Sequence, residues 1–183
     1  MKSILILGGA RSGKSRLAVE MAQKRGGNVL FVATAEAGDE EMEKRIAAHK
    51  KSRPANWKTL EAQTHIGNLI TQDTSPAETI IIDCITLLVN NIFGQCGENA
   101  DAAPIEKAVE SEIKELIGCI KKSKAQFIIV SNEVGLGIIP ADSISRLYRD
   151  ILGRANQMLA ASVDEVYLLV AGIPIAIKSL KNR

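Results

Sequence analysis

The segment Gly8-Gly9-Ala10-Arg11-Ser12-Gly13-Lys14-Ser15 constrains this chain more than any other. It fits G-x-x-x-x-G-K-[ST], the pattern of a loop that cradles phosphates. Its flanks carry the same message. Ile4-Leu5-Ile6-Leu7 reads as a short buried strand before it, and Leu17, Ala18, Met21 and Ala22 recur at helical spacing after it. Strand, glycine-rich loop and helix N-terminus in succession place backbone N–H groups and the positive end of a helix dipole around an anion. In such a loop Lys14 reaches the β- and γ-phosphates of a nucleotide, and the Ser15 hydroxyl faces a Mg2+ ion. An ordinary glycine-rich turn with an exposed lysine is the plain alternative.

Four more apolar, β-branched runs read as strands, over residues 29–33, 79–82, 127–131 and 166–170, with a further edge strand expected over 173–177. Helices are expected over 15–23, 39–51, 105–122 and 143–161. Residues 57–60 form a possible edge strand, residues 94–104 are the least structured stretch, and His65 opens a short amphipathic segment in a surface or capping role. Strands alternating with helices predict an α/β fold, a mainly parallel sheet flanked by helices. At 183 residues, one domain over 1–183 is expected. Ligands of such sheets bind beyond the carboxyl ends of the strands. The segments after Ala33, Ile82 and Val130 are therefore the ones that can share a site with the phosphate loop.

Composition narrows the partners. A net charge of +2 and 3% aromatic residues point away from nucleic acid. No apolar run reaches the roughly 18 residues of a membrane span, and the N-terminus has no signal-peptide pattern, so a cytoplasmic protein is expected. The three cysteines, Cys84, Cys96 and Cys119, show no zinc-ligand spacing with the two histidines. Reduced, mostly buried thiols are expected.

Other residues carry possible chemistry. Asp83 ends the run 79–83 and, after a phosphate loop, reads first as the acid that holds Mg2+ or its water at a strand tip, with a helix N-cap as the alternative that Asp also suits. Arg45, His49 and Arg53 are spaced four apart, so in a helix two guanidiniums flank an imidazole. His49 also falls on the side of Met42 and Ile46, where a core histidine fits as well. Asn132-Glu133-Val134-Gly135-Leu136-Gly137 follows a strand at the ligand-bearing edge and reads either as close backbone approach or as a plain turn. These residues reach as far as a Mg-dependent enzyme using nucleoside triphosphates.

Several of these segments together resemble the bifunctional adenosylcobinamide kinase / adenosylcobinamide-phosphate guanylyltransferase family of cobalamin biosynthesis. The matching segments are the loop at 8–15, Ala33-Thr34-Ala35, the block 45–54 with Trp57, Thr59 and Glu61, Asp83-Cys84-Ile85-Thr86, the block 132–140, and the block 149–157. The resemblance implies a RecA-like P-loop core, ATP and GTP as substrates with Mg2+, adenosylcobinamide as the small-molecule partner, and a homotrimer. It implies that His49 attacks the α-phosphate of GTP and carries GMP covalently. It places nucleotide contacts on the loop at 8–15, on Ala33, Thr34 and Ala35, on Lys50, Lys51, Ser52 and Arg53, and on Glu61 and Asp83. Some relatives have Glu where this chain has Asp83, and some have two adjacent histidines where it has Ala48-His49. A P-loop kinase for another small molecule is one alternative. A nucleotide-switched regulatory protein is another, against which stands the lack of an N-K-x-D guanine-specificity motif.

Overall fold

Strands that are apolar at every position must bury both faces, and helices on either side provide the cover. The computed structural model describes residues 2–35, 50, 53–97 and 101–179. Within them lie strands β1 (Ser3–Gly8), β2 (Val29–Ala33), β3 (Lys58–Glu61), β4 (Thr79–Asp83), β5 (Gln126–Val130), β6 (Glu165–Val170) and β7 (Ile173–Lys178). The helices are α1 (Lys14–Arg25), α2 (Ile66–Gln72), α3 (Ile85–Cys96), α4 (Ala102–Lys122) and α5 (Ser143–Ser162).

The strands form one sheet in the order β3-β2-β4-β5-β1-β6-β7. Every pairing is parallel except the last, in which β6 and β7 form an antiparallel hairpin. Ala171 and Gly172 turn that hairpin with φ of 51° and 83°, the left-handed pair a tight two-residue turn requires.

Alternation along the strands sorts their side chains into two cores. Leu5, Leu30, Val32, Ile80, Ile82, Phe127 and Ile129 face α2, α3, α4 and α5. Ile4, Ile6, Phe31, Ile81, Ile128 and Val130 face α1, through Ala18 and Ala22. The expected α/β architecture with a mainly parallel, helix-flanked sheet is thus the observed one.

Local boundaries differ for physical reasons. Helix α4 starts at Ala102, ahead of the expected 105, because Pro104 sits in the first turn, where a backbone N–H has no intrahelical acceptor to lose. Helix α3 was foreshadowed only as a segment after Asp83. Its buried Ile85, Leu88, Val89 and Ile92 recur at i, i+3, i+4 and i+7, so the helix does carry one apolar face, flanked by Thr86. It also occupies 94–96, part of the stretch expected to be least structured. His65 stands at the N-cap of α2 with its side chain exposed, and the buried Glu112 of α4 accepts from the His65 and Ile66 N–H groups at 2.8 and 2.9 Å. The helix expected over 39–51 lies outside the described residues except at Lys50.

Candidate functional site

The loop after β1 takes a shape that two of its glycines make possible. Gly8 has φ of 153°, and a Cβ there would meet the Leu169 carbonyl oxygen and Ser12 Oγ, both at 2.7 Å. Gly13, at φ 96°, is the left-handed N-cap of α1. Between them Arg11 is also left-handed, at φ 55°. Lys14 begins α1 and is only 7% exposed. Its Nζ donates to the Gly9 carbonyl at 2.6 Å, so the ammonium folds across the loop. Burial pushes the Lys14 pKa down, and the carboxylate of Asp83 is among the groups that oppose that shift. The cation therefore lies in the field of the acid at the tip of β4.

Asp83 is the last residue of β4. One strand, β5, separates it from the loop strand β1. The N-cap of α3 is Cys84, without a side-chain cap bond, so the alternative reading of Asp83 as that cap is set aside. The Asp83–Cys84 peptide is cis. Thr34, fully buried beyond β2, accepts from the Cys84 N–H at 2.7 Å and donates to the Cys84 carbonyl at 2.7 Å with the same hydroxyl. The Thr34 N–H donates to the Asp83 carbonyl at 3.2 Å. Burial, then the charge of Asp83, pushes the Cys84 thiol up to about 11, so it is a neutral, inert thiol at pH 7.

A second group of charges gathers on the far side of Asp83 from the loop. Ala33 pairs in register with Glu61 on one side and with Asp83 on the other. Lys50 Nζ lies 2.5 Å from Glu61 Oε1, with both side chains exposed. The Arg53 guanidinium carbon stands 3.6 Å from the centroid of the buried Phe31 ring, a cation–π contact. Burial lowers the Arg53 pKa, and Asp83 and Glu61, in that order, oppose the shift. Arg53 Nε and Nη1 are buried without a hydrogen-bond partner among the described residues.

Of the residues expected at the site, the structure brings the loop 8–15, Ala33, Thr34, Ala35, Lys50, Arg53, Glu61 and Asp83 to the carboxyl edge of the sheet. Thr34 faces inward, so its hydroxyl is spent on Cys84. His49, Lys51, Ser52 and Arg45 lie outside the described residues.

Supporting residues escaped the sequence reading. Asn91 Nδ2 donates to the Thr34 and Gln63 carbonyls at 2.9 and 3.0 Å. Thr86 Oγ1 accepts from the Asn132 N–H at 2.8 Å, and the Thr86 carbonyl accepts from the Tyr148 hydroxyl at 2.8 Å. The one available signal was the polar residues Thr86, Asn90 and Asn91 inside an otherwise apolar run.

A family model described as cobinamide kinase / cobinamide phosphate guanyltransferase matches residues 4–177. The bifunctional adenosylcobalamin biosynthesis protein CobU of Salmonella typhimurium is 46% identical over 180 residues, which cover 96% of this chain and 99% of that protein. The protein of the same name from Escherichia coli is 41% identical over 180 residues, at 96% and 99% coverage. The bifunctional adenosylcobalamin biosynthesis protein CobP of Pseudomonas aeruginosa is 38% identical over 174 residues, at 95% and 96% coverage. With a phosphate loop, a strand-tip acid and a match of this length, the chain belongs to the cobinamide kinase / cobinamide phosphate guanyltransferase family.

Proposed function

We propose that this chain, as one domain, runs the two reactions of its family at the carboxyl edge of the sheet. In the first, the hydroxyl oxygen of the aminopropanol arm of adenosylcobinamide attacks the γ-phosphorus of a nucleoside triphosphate. A new O–P bond forms, the bond to the β,γ-bridging oxygen breaks, the hydroxyl proton is lost, and the nucleoside diphosphate leaves. The Lys14 ammonium and the loop N–H groups offset the charge on the phosphates. The observation that carries this reading is the buried Lys14 folded across a left-handed glycine loop, in the field of Asp83. The Ser15 hydroxyl and the Asp83 carboxylate are hard oxygen donors suited to Mg2+, which would supply further charge neutralisation on the phosphates.

In the second reaction, an imidazole nitrogen of His49 attacks the α-phosphorus of GTP and pyrophosphate leaves. A phosphate oxygen of adenosylcobinamide phosphate then attacks that phosphorus, the P–N bond breaks, and the histidine is regenerated. The family resemblance of the block 45–54 supports this role for His49, and it supports nucleotide contacts at Lys51 and Ser52. The charge cluster of Lys50, Arg53 and Glu61 is suited to a second set of nucleotide contacts.

A homotrimer fits the exposed apolar side chains of the edge strand β7, Ile173, Ile175 and Ile177, which a second copy would cover. No helix among the described residues is long and apolar enough to cross a membrane. The three cysteines are free, which suits the reducing cytoplasm.

The test is an assay with cobinamide, ATP and GTP in which product masses are resolved. Wild-type protein forms the phosphate and then the GDP adduct, and it retains label from α-labelled GTP in an acid-labile, base-stable form. His49→Ala retains phosphorylation and loses both the label and the adduct. Labelling and adduct formation by His49→Ala would place the nucleophile elsewhere. Absence of both products from the wild type would favour a kinase for another small molecule.

A further inference from the structure

Between Glu133 and Asp142 the chain carries no charge; residues 134–141 read Val-Gly-Leu-Gly-Ile-Ile-Pro-Ala. Three of their side chains stand in solvent, with Leu136 82%, Ile138 96% and Ile139 67% exposed. Single exposed aliphatic residues need no explanation, but three within four positions form a patch.

The segment is held firmly at both ends. At its start, the Asn132 N–H donates to Thr86 Oγ1 at 2.8 Å, and the Asn132 carbonyl accepts from Asn156 Nδ2 at 3.1 Å. At its finish, Arg146 Nη1 donates to the Pro140 and Ala141 carbonyls at 3.0 and 2.6 Å, and Asp142 caps α5 by accepting from the Ser145 N–H at 2.7 Å. Ends fixed by α3 and α5 reduce the entropy lost when the apolar tip is covered.

Its base is tied to the phosphate loop. The Glu133 N–H donates to the Gly8 carbonyl at 3.0 Å, so the segment leaves the sheet one hydrogen bond from the cradle.

We propose that residues 134–139 are the seat of the corrin ring of the acceptor, with Leu136, Ile138 and Ile139 against its face. The proposal rests on the phosphoryl-transfer reading above. The acceptor offers its hydroxyl on a short arm from a broad macrocycle whose periphery carries methyl groups and amides. For that hydroxyl to meet a γ-phosphate at Lys14, the macrocycle must lie within an arm's length of the loop. The base of the segment meets that condition, since Glu133 bonds Gly8 and the patch begins three residues further on. The patch's aliphatic side chains match the methyl-bearing surface, and the exposed Gly137 backbone offers the amides hydrogen-bonding partners, whereas the Gly135 N–H already donates to Glu133 Oε1 at 2.6 Å. The charged groups that suit the nucleotides, Lys14, Lys50 and Arg53, lie elsewhere on the edge.

A second copy of the chain is the competing occupant. In the sheet, β1 and β6 lie between β5, which leads into the patch, and the apolar edge strand β7.

The test compares wild type with Ile138→Ser and with the double variant Leu136→Ser/Ile138→Ser, measuring the KM for cobinamide, the Kd of cobinamide and of ATP by calorimetry, and the sedimentation mass. Ile138→Ser should raise both cobinamide constants about tenfold, the effect of uncovering one large aliphatic side chain, and the double variant further still. ATP affinity and mass should hold, and Ile138→Leu should restore cobinamide binding. Unchanged cobinamide constants in the double variant would overturn the seat while leaving the activity intact. A fall in mass would instead assign the patch to contact between copies. If wild-type protein neither binds nor phosphorylates cobinamide, the functional reading fails and the seat with it.

Discussion

Thr34 grips Cys84 by both ends of its backbone with one hydroxyl, accepting from its N–H and donating to its carbonyl, each at 2.7 Å. The bond crosses from the end of β2 to the residue after Asp83, so it fixes where β4 stops and α3 begins. Thr34→Val keeps the shape and removes the hydroxyl, leaving two buried backbone groups without that partner. Stability should fall by about 1–3 kcal/mol, measured by denaturant unfolding. Phosphoryl transfer should fall with it, because the carboxylate next to the gripped residue loses its support. Thr34→Ser should restore both.

Asp83→Asn separates chemistry from structure. Because Cys84 rather than Asp83 is the N-cap of α3, the amide should leave thermal stability within about 1 kcal/mol of wild type. The Mg2+ concentration at half-maximal kinase activity should rise about tenfold or more. A metal titration that superimposes on the wild type would remove Asp83 from metal binding.

Gly8→Ala should damage the cradle directly. The added methyl meets the Leu169 carbonyl oxygen and Ser12 Oγ at 2.7 Å, and only the serine side chain can turn away. A cost of about 1–3 kcal/mol is expected from the forced backbone shift, with loss of ATP binding by calorimetry. Gly9→Ala is the control, since a Cβ there meets nothing within 4 Å.

Acid should loosen the end of the molecule opposite the site. Hydrogen bonds from Lys58 and Ser75 hold the Asp73 carboxyl at about 2, below its ordinary 3.8. A carboxylate with a depressed folded-state pKa contributes stability that is complete above 3.8 and is lost as pH falls through about 2. Lys58 is half exposed, so the contribution is on the order of 1 kcal/mol. Asp73→Asn should flatten the pH dependence of urea midpoints between about pH 4 and 2.

The phosphate loop and the buried strands were legible because their signals are local. Four consecutive apolar residues, two spaced glycines and a lysine fix a strand, a turn and a helix start without help from distant residues. Asp83 was legible as a strand tip and ambiguous as a cap, because capping depends on which residue the next helix starts from. The Thr34–Cys84 grip, the Arg53 stack on Phe31 and the two carbonyls held by Asn91 were illegible. Each joins residues brought together only by strand order, and no spacing in the chain encodes β2 beside β4. The largely exposed β3 was visible only as a possibility, since its residues lack both alternation and a continuous apolar run.

Strand β5, lying between β1 and β4, acts as a spacer gauge. Neighbouring strands stand about 4.8 Å apart, so two intervals set the phosphate loop and the carboxylate at Asp83 roughly 10 Å apart across the sheet. That width is calibrated by backbone hydrogen bonds on both sides of β5. Side-chain identity within β5 can drift without widening or narrowing the jaw, whereas an inserted residue that shifts its pairing would throw the two halves out of alignment.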